Sequence, residues 1–322
     1  MLRTDSKPIA APGAGAPLRA SQIAQLIDQI STIIVGKREQ VTLAVICLLA
    51  GGHLLIEDVP GVGKTTLSHA LARCLGLSYA RIQFTSDLLP SDLIGVSIYE
   101  RQSEGFVFHP GPVFSQVLLA DESNRAGPRT QSALLEAMEE RQVSVEGHTH
   151  ALPWPFFVIA TQNPTEQLGT HPLPESQLDR FALRLSLGYP DRAAERALLT
   201  GQDRRGALNA LDPVMTAQEW SAWQDRVDSV HVSSDLLDYL QALIAATRDG
   251  HWFALGLSPR AGLALLKLAR ARALVLGRAH VSPEDLQTLW LPAVSHRLMP
   301  LPQSGRSAAA QARALLEATP LP

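Results

Sequence analysis

The chain has 322 residues, 46% of them hydrophobic, and its 28 basic and 31 acidic side chains leave a formal net charge of −3. That length provides for a sizeable core and two domains, and the mildly acidic balance argues against a strong, non-specific nucleic-acid binder. Cys47 and Cys74 lie in apolar helix-like segments without metal-ligand spacing and read as reduced core thiols, in keeping with a cytoplasmic location.

No signal-peptide pattern opens the chain, and residues 1–19, with the run Ala10-Ala11-Pro12-Gly13-Ala14-Gly15-Ala16-Pro17, are expected to be a disordered tail. Ser21 is then placed to cap a helix whose Ile23, Leu26, Ile27 and Ile30 share one face. After a break at Val35-Gly36-Lys37, a second apolar helix runs from Arg38 to about Ala50. Its apolar stretch, Val41 to Ala50, is the longest in the chain and too short to span a bilayer, so no membrane span is expected.

Next comes the most informative segment. His53-Leu54-Leu55-Ile56-Glu57 reads as a strand, Asp58-Val59-Pro60-Gly61-Val62-Gly63 as a loop, and Lys64-Thr65-Thr66 as the start of a helix. Strand, glycine-containing loop, Lys-Thr and helix form a phosphate cradle: glycines let backbone N–H groups approach, and the helix presents its positive end. Val59, Pro60, Gly61, Val62, Gly63, Lys64, Thr65 and Thr66 are therefore the candidate nucleotide-binding residues. Lys64 suits the β- and γ-phosphates, and the Thr65 hydroxyl suits Mg²⁺. Asp58 stands where such loops usually begin with Gly. A carboxylate about 4 Å from a phosphate charge would cost roughly 1–4 kcal/mol, so Asp58 is expected to point away.

Tyr79 to Phe84 reads as another strand. The next thirty or so residues are rich in turn formers and longer than a plain connection needs, which marks a functional insertion. Val117-Leu118-Leu119-Ala120 is a buried parallel-type strand ending in Asp121-Glu122, where ligands bind in open parallel sheets. Asp121 suits Mg²⁺ and Glu122 the activation of water. A helix from Pro128 to about Arg141 and a hairpin turning at Gly147 follow, with His148 and His150 read as loop residues that bind no metal.

Phe156 to Thr161 is a further buried strand, ending at Asn163. That side chain can reach a γ-phosphate or the attacking water, although Asn-Pro also starts turns. Arg180 stands just before a last strand, Ala182 to Leu187, and either serves a transition-state phosphate or is a solvated surface side chain. Beyond Gly188-Tyr189-Pro190-Asp191 the pattern reads as helical to the end, without a clear strand. Ser258-Pro259 opens one of these helices, and Arg260 lies in its first turn, where a cation is unfavourable to the helix; phosphate contact would give it a reason. Ser282-Pro283-Glu284-Asp285 is a capping box of structural type.

Read together, the loop at 54–65, Asp121-Glu122-Ser123-Asn124-Arg125-Ala126, Leu134-Leu135-Glu136-Ala137-Met138-Glu139-Glu140, Ile159 to Pro164, Leu173 to Phe181 and Leu257 to Ala261 resemble an AAA+ ATPase of the MoxR type. Ser123 departs mildly from the branched apolar residue usual there, and Asp58 is familiar within the subfamily. The resemblance implies an α/β P-loop core with a parallel sheet sandwiched by helices over 20–188, followed by a smaller all-α lid over 189–322. It implies ATP and Mg²⁺ as cofactors and a homo-oligomeric, usually hexameric ring with nucleotide between subunits. In that ring Lys64, Thr65, Asp121, Glu122 and Asn163 act in cis, Arg180 is the arginine finger, and Arg260 is the lid's sensor arginine. Val35 and Gly36 lie near the adenine, and the segments 105–112 and 142–152 face the ring surface or pore. Such proteins remodel or mature a protein client, often with a von Willebrand factor A-domain partner. Two other readings are a nucleic-acid-stimulated motor and an ATP-dependent assembly switch with slow turnover.

Overall fold

The computed structural model describes residues 20–102, 104–163, 170–171, 173–200 and 204–321. The expected tail, residues 1–19, lies outside these described residues, as does Pro164.

Two helices lead in, α1 (Ala20–Ile33) and α2 (Arg38–Leu49). The strand β1 (His53–Glu57) feeds the glycine loop and α3 (Lys64–Cys74), followed by β2 (Tyr79–Gln83). The turn-rich insertion folds into a short helix, α4 (Pro90–Ile94), and an antiparallel hairpin, β3 (Gly95–Glu100) and β4 (Gly105–Pro110). Its base is tight: a Cβ on Gly111 would lie 2.3 Å from the Leu93 carbonyl oxygen, so only glycine fits.

β5 (Val117–Asp121), α5 (Pro128–Glu140), the hairpin β6 (Gln142–Val145) and β7 (His148–Ala151), and β8 (Phe157–Gln162) come next. A one-turn helix, α6 (Glu175–Leu178), precedes β9 (Phe181–Leu185). Then come α7 (Arg192–Leu199), α8 (Arg204–Asn209), α9 (Ala217–Val227), α10 (Ser234–Arg248), β10 (Phe253–Leu255), α11 (Pro259–Val275), α12 (Pro283–Val294), β11 (Met299–Pro300) and α13 (Ala308–Ala318).

The five central strands are parallel in the order β2-β5-β8-β1-β9. The inner strands β1, β5 and β8 are buried on both faces because both are covered, whereas the edge strand β2 exposes Arg81 and Gln83. Leu54, Ile56, Leu119, Ile159 and Leu183 point into a core shared with α1, α2, α3 and the C-terminal helices, which also holds Trp220, Trp223 and Trp290. Leu55, Leu118, Ala120, Val158 and Ala160 point the other way, onto Leu134, Leu135 and Met138 of α5. The α/β architecture with a helical second part is as expected.

Four details differ from the expectation. The C-terminal part contains one antiparallel pair, β10 with β11, whose three and two residues are too few to show a strand period. The last sheet strand spans Phe181–Leu185 rather than Ala182 to Leu187, since β1 pairs with it only as far as Leu185. His148 and His150 lie in strand β7 rather than in the loop, and the His150 ring stacks on Phe108 with centroids 4.0 Å apart. α1 already includes Ala20, so Ser21 sits in its first turn instead of capping it.

Candidate functional site

The sheet order places the C-terminal ends of β5, β8 and β1 side by side, and these ends carry Asp121-Glu122, Asn163 and the glycine loop. A cavity of about 320 Å³ opens there, lined by Pro60, Gly61, Gly63, Lys64, Thr65, Thr66, Asp121, Glu122 and Asn163. Gly61 and Gly63 have φ of +83° and +99°, a region that disfavours side chains, and a Cβ built on either meets nothing within 4 Å. The loop is thus an open cradle of backbone at the N-terminus of α3, which suits an anionic phosphate chain.

Lys64 Nζ donates to the carbonyls of Asp58 (2.6 Å) and Gln162 (3.2 Å), which holds the ammonium between the ends of β1 and β8. Partial burial lowers its pKa, while Asp58, Asp121 and Glu122 oppose that shift. Thr161 Oγ1 donates to Asp121 Oδ1 (2.6 Å) and accepts from the Glu122 amide (2.9 Å), so one hydroxyl fixes both acidic residues. Glu122 adopts φ +55°, an uncommon backbone for a non-glycine residue, and its carboxylate pairs with Arg125 Nε at 2.8 Å. The Ser123 hydroxyl, the family departure, donates to the Thr161 carbonyl at 3.3 Å, so its polarity is satisfied by β8.

The donor set fits Mg²⁺. Thr65 and Asp121 both line the cavity and carry hard oxygen atoms, and among the described residues no cluster of three His, Cys, Asp or Glu forms a dedicated metal cage. One carboxylate, a hydroxyl and substrate phosphates is the pattern Mg²⁺ accepts.

A second cavity of about 210 Å³ shares Gly61, Gly63 and Thr66 with the first and continues it between Ile33, Ile34, Val35, Val62, Pro190 and Ala194. It offers an apolar slot for a flat base beside the polar cradle. Val35 lines it; Gly36 flanks it, with its would-be Cβ 3.3 Å from that of Ala194. Val59 lines neither cavity; its amide donates to Asp58 Oδ1 at 2.9 Å. Asp58 does turn away from the cradle: Oδ2 accepts from the Gly188 amide (2.7 Å) and the Ser186 hydroxyl (3.1 Å) beyond β9.

Arg180 and Arg260 are not part of this constellation. They line a separate cleft of about 420 Å³ with Gly51, Gly52, Glu139, Arg141, Asp179, Lys267 and Arg297. Gly52 precedes β1 and Arg180 precedes β9, so the cleft lies at the opposite end of the sheet from the cradle. A five-residue parallel strand at about 3.3 Å per residue separates the two by ~16 Å. Arg180 Nη2 lies 2.8 Å from Glu139 Oε2, and Arg260 bonds the other oxygen of the same carboxylate. Ser258 caps α11 as expected, accepting from the Ala261 amide at 3.0 Å, and also donates to Asp179 Oδ2 at 2.8 Å.

Three residues escaped the sequence reading. Arg81 on β2 donates through Nη2 to Asp121 Oδ2 at 2.8 Å. Glu139 gathers the two arginines, and Arg297 holds the Asp179 and Phe181 carbonyls beside them (3.2 and 2.7 Å). Only Glu139 carried a signal, its place in the Leu-Leu-Glu-Ala-Met-Glu-Glu run.

Known proteins resemble this chain in sequence and fold. Residues 53–183 match the family described as "ATPase family associated with various cellular activities (AAA)", and residues 245–318 match the AAA lid domain. The chain is 44% identical to the uncharacterized protein YeaC of Bacillus subtilis over 93% of its length and 95% of that protein's. It is 40% identical to "Chaperone MoxR1" of Mycobacterium tuberculosis, over 90% of this chain and 79% of that one. A crystal structure from Cytophaga hutchinsonii superposes with a TM-score of 0.86 at 34% identity, covering 94% of this chain and 96% of the other. With its cradle, acidic strand end and helical second part matched over nearly the whole length, the chain belongs to the MoxR-type AAA+ ATPases.

Proposed function

We propose that the protein is a Mg²⁺-dependent ATP hydrolase that works as a homo-oligomeric ring, hexameric as in the resemblance, and uses turnover to remodel or mature a protein client in the cytoplasm. The observation that carries this reading is the ~16 Å separation, by the length of the central strands, between the cradle and the two arginines. A monomer cannot bring them together, whereas head-to-tail packing of copies can. Residues 20–188 form the nucleotide-binding domain and 189–322 the lid.

In this reading Gly61, Val62, Gly63, Lys64, Thr65 and Thr66 hold the phosphates, and Val35 and Gly36 border the base. Mg²⁺, when bound against Thr65 and Asp121, supplies positive charge beside the β- and γ-phosphate oxygens. Glu122 orients water for in-line attack and takes its proton, and Asn163 orients the γ-phosphate or that water. Arg180, with Arg260 at its side, stabilises charge on the phosphoryl group of a neighbouring protomer's ATP. Such fingers are worth about 10³–10⁵ in rate in well-studied GTPases. Client work is supported by the chaperone naming of a relative, and a von Willebrand factor A-domain partner is the resemblance's own expectation. Among the described residues no helix is long and apolar enough to cross a membrane.

The test is Mg²⁺-ATPase specific activity against protein concentration for wild type, Glu122→Gln, Arg180→Ala and an equimolar mixture of the two variants. Activity rising with concentration, two inactive variants and partial recovery on mixing are expected. Concentration-independent activity with a fully active Arg180→Ala would refute the shared site.

A further inference from the structure

We propose that Glu139 is a positioning residue, which holds Arg180 and Arg260 as a single presented pair for a neighbouring protomer's nucleotide. The proposal rests on the shared-site reading above and assigns a role to the Leu134–Glu140 run, which the cradle does not use.

The two guanidinium groups come from distant elements, Arg180 from the turn before β9 and Arg260 from the first turn of α11. Each gives one donor to a different oxygen of the Glu139 carboxylate. Arg180, Glu139 and Arg260 are 28%, 32% and 52% exposed, so the trio is reachable from the surface cleft rather than sealed in the core. The cleft otherwise offers Arg141, Lys267 and Arg297 against a single further carboxylate, Asp179. Asp179 is already engaged by Arg297 Nε at 3.1 Å and by the Ser258 hydroxyl. Glu139 is therefore the acid that lets two cations stay adjacent.

Its backbone is well suited to this. Glu139 lies in the last turn of the 13-residue α5, whose Leu134, Leu135 and Met138 are buried against the sheet, so the carboxylate has a fixed origin. Arg260, by contrast, begins a helix whose positive end repels it, and an acidic partner explains why it stays. Each guanidinium has five N–H donors and spends one on Glu139; Arg180 Nε is buried, which leaves terminal N–H groups of both arginines for phosphate oxygens. Without the carboxylate the two like charges would swing apart into solvent, and the preorganisation on which electrostatic catalysis depends would be lost.

The test uses the full-length protein and mixtures of variants. Glu139→Gln is expected to lower kcat at least tenfold while leaving the KM for ATP and the affinity for a fluorescent ATP analogue within twofold. Mixed with Glu122→Gln, it should recover part of the rate, because its own cradle is intact and the partner supplies the arginines. Mixed with Arg180→Ala, it should recover nothing, because every interface then lacks a competent pair. A loss through the cradle would not sort this way, and partial retention of rate in Glu139→Asp separates the carboxylate's role from a local folding fault. Should Glu139→Gln fail to fold, Glu139→Asp, which keeps the charge on a shorter arm, carries the same mixing test with a smaller drop in kcat. Recovery with Arg180→Ala, an effect confined to KM, or a rate equal to or above wild type would overturn the proposal. The mixture of Glu122→Gln with Arg180→Ala separates the two levels. If that control recovers activity, failure of Glu139 to sort with Arg180 refutes this role alone; if it does not, the shared site falls and this role with it.

Discussion

His53, at the start of β1, is expected to make the fold sensitive to acid. Its ring is 6% exposed, with Nδ1 accepting from the Val158 amide at 2.9 Å and Nε2 3.1 Å from the Met138 carbonyl. Only the neutral ring with its proton on Nε2 satisfies both, because a second proton on Nδ1 would face another N–H. Burial, the largest influence, pushes its pKa down from 6.5 to about 4; the Met138 hydrogen bond opposes this and Arg141 adds to it. Above pH 6.5 neither folded nor unfolded chain binds this proton, so stability from this group is flat. Between pH 6.5 and 4 the unfolded chain takes up the proton and the folded chain does not, and stability falls by up to about 1.4 kcal/mol per pH unit. Over the window that amounts to about 3 kcal/mol. Urea unfolding at fixed protein concentration between pH 8 and 4.5 measures it, with His53→Gln as the reference. The variant should be less stable at pH 7 by about 1–3 kcal/mol, because the Val158 amide loses its acceptor. Its pH dependence should be shallower than wild type, the remaining slope coming from carboxylates and from His296, whose pKa burial also lowers. Parallel curves for the two proteins from pH 7 to 4.5 would refute the reasoning.

Two further outcomes are expected. Asp58→Ala removes the acceptor of the Gly188 amide and of the Ser186 hydroxyl and frees the head of the loop, so nucleotide affinity should fall about tenfold, near 1.4 kcal/mol; a dissociation constant within twofold of wild type by fluorescence titration would show that the loop holds itself. Arg297, 4% exposed, is bonded to the carbonyls of Ala293, Asp179 and Phe181, and burial lowers its pKa to about 10. Arg297→Ala should cost about 3–5 kcal/mol and lower the melting temperature by roughly 5 °C, and calorimetry showing less than 2 °C would contradict it.

What the sequence disclosed was local or periodic. The strand, loop and helix around Lys64 are contiguous, and their chemistry follows from residue types at fixed spacing. Even the anomaly at Asp58 could be read, since electrostatics alone forbids that carboxylate from facing a phosphate. The partners it turns to, Ser186 and Gly188, could not, because they follow a strand two-fifths of the chain away and only the parallel pairing of β1 with β9 brings them close. The same holds for Arg81 with Asp121 and for Glu139 with Arg180 and Arg260, pairs set by sheet order and by the seat of α11 rather than by spacing. The small β10–β11 pair was invisible because strands of three and two residues cannot repeat the two-residue alternation, and one of them contains Pro300.

The grip of Asp58 on Gly188 has a mechanical meaning. Gly188 is where the chain leaves the sheet for the helices beyond, and Lys37 Nζ clasps the next carbonyl, that of Tyr189, at 2.7 Å. The connector is therefore clamped on one side by the root of the phosphate loop and on the other by the wall of the base-sized slot. A lever transmits force only if its fulcrum does not slip, and here the fulcrum is bolted to both halves of the nucleotide pocket. Under the proposed function, a phosphate in the cradle and a base in the slot would therefore bear on one and the same connector.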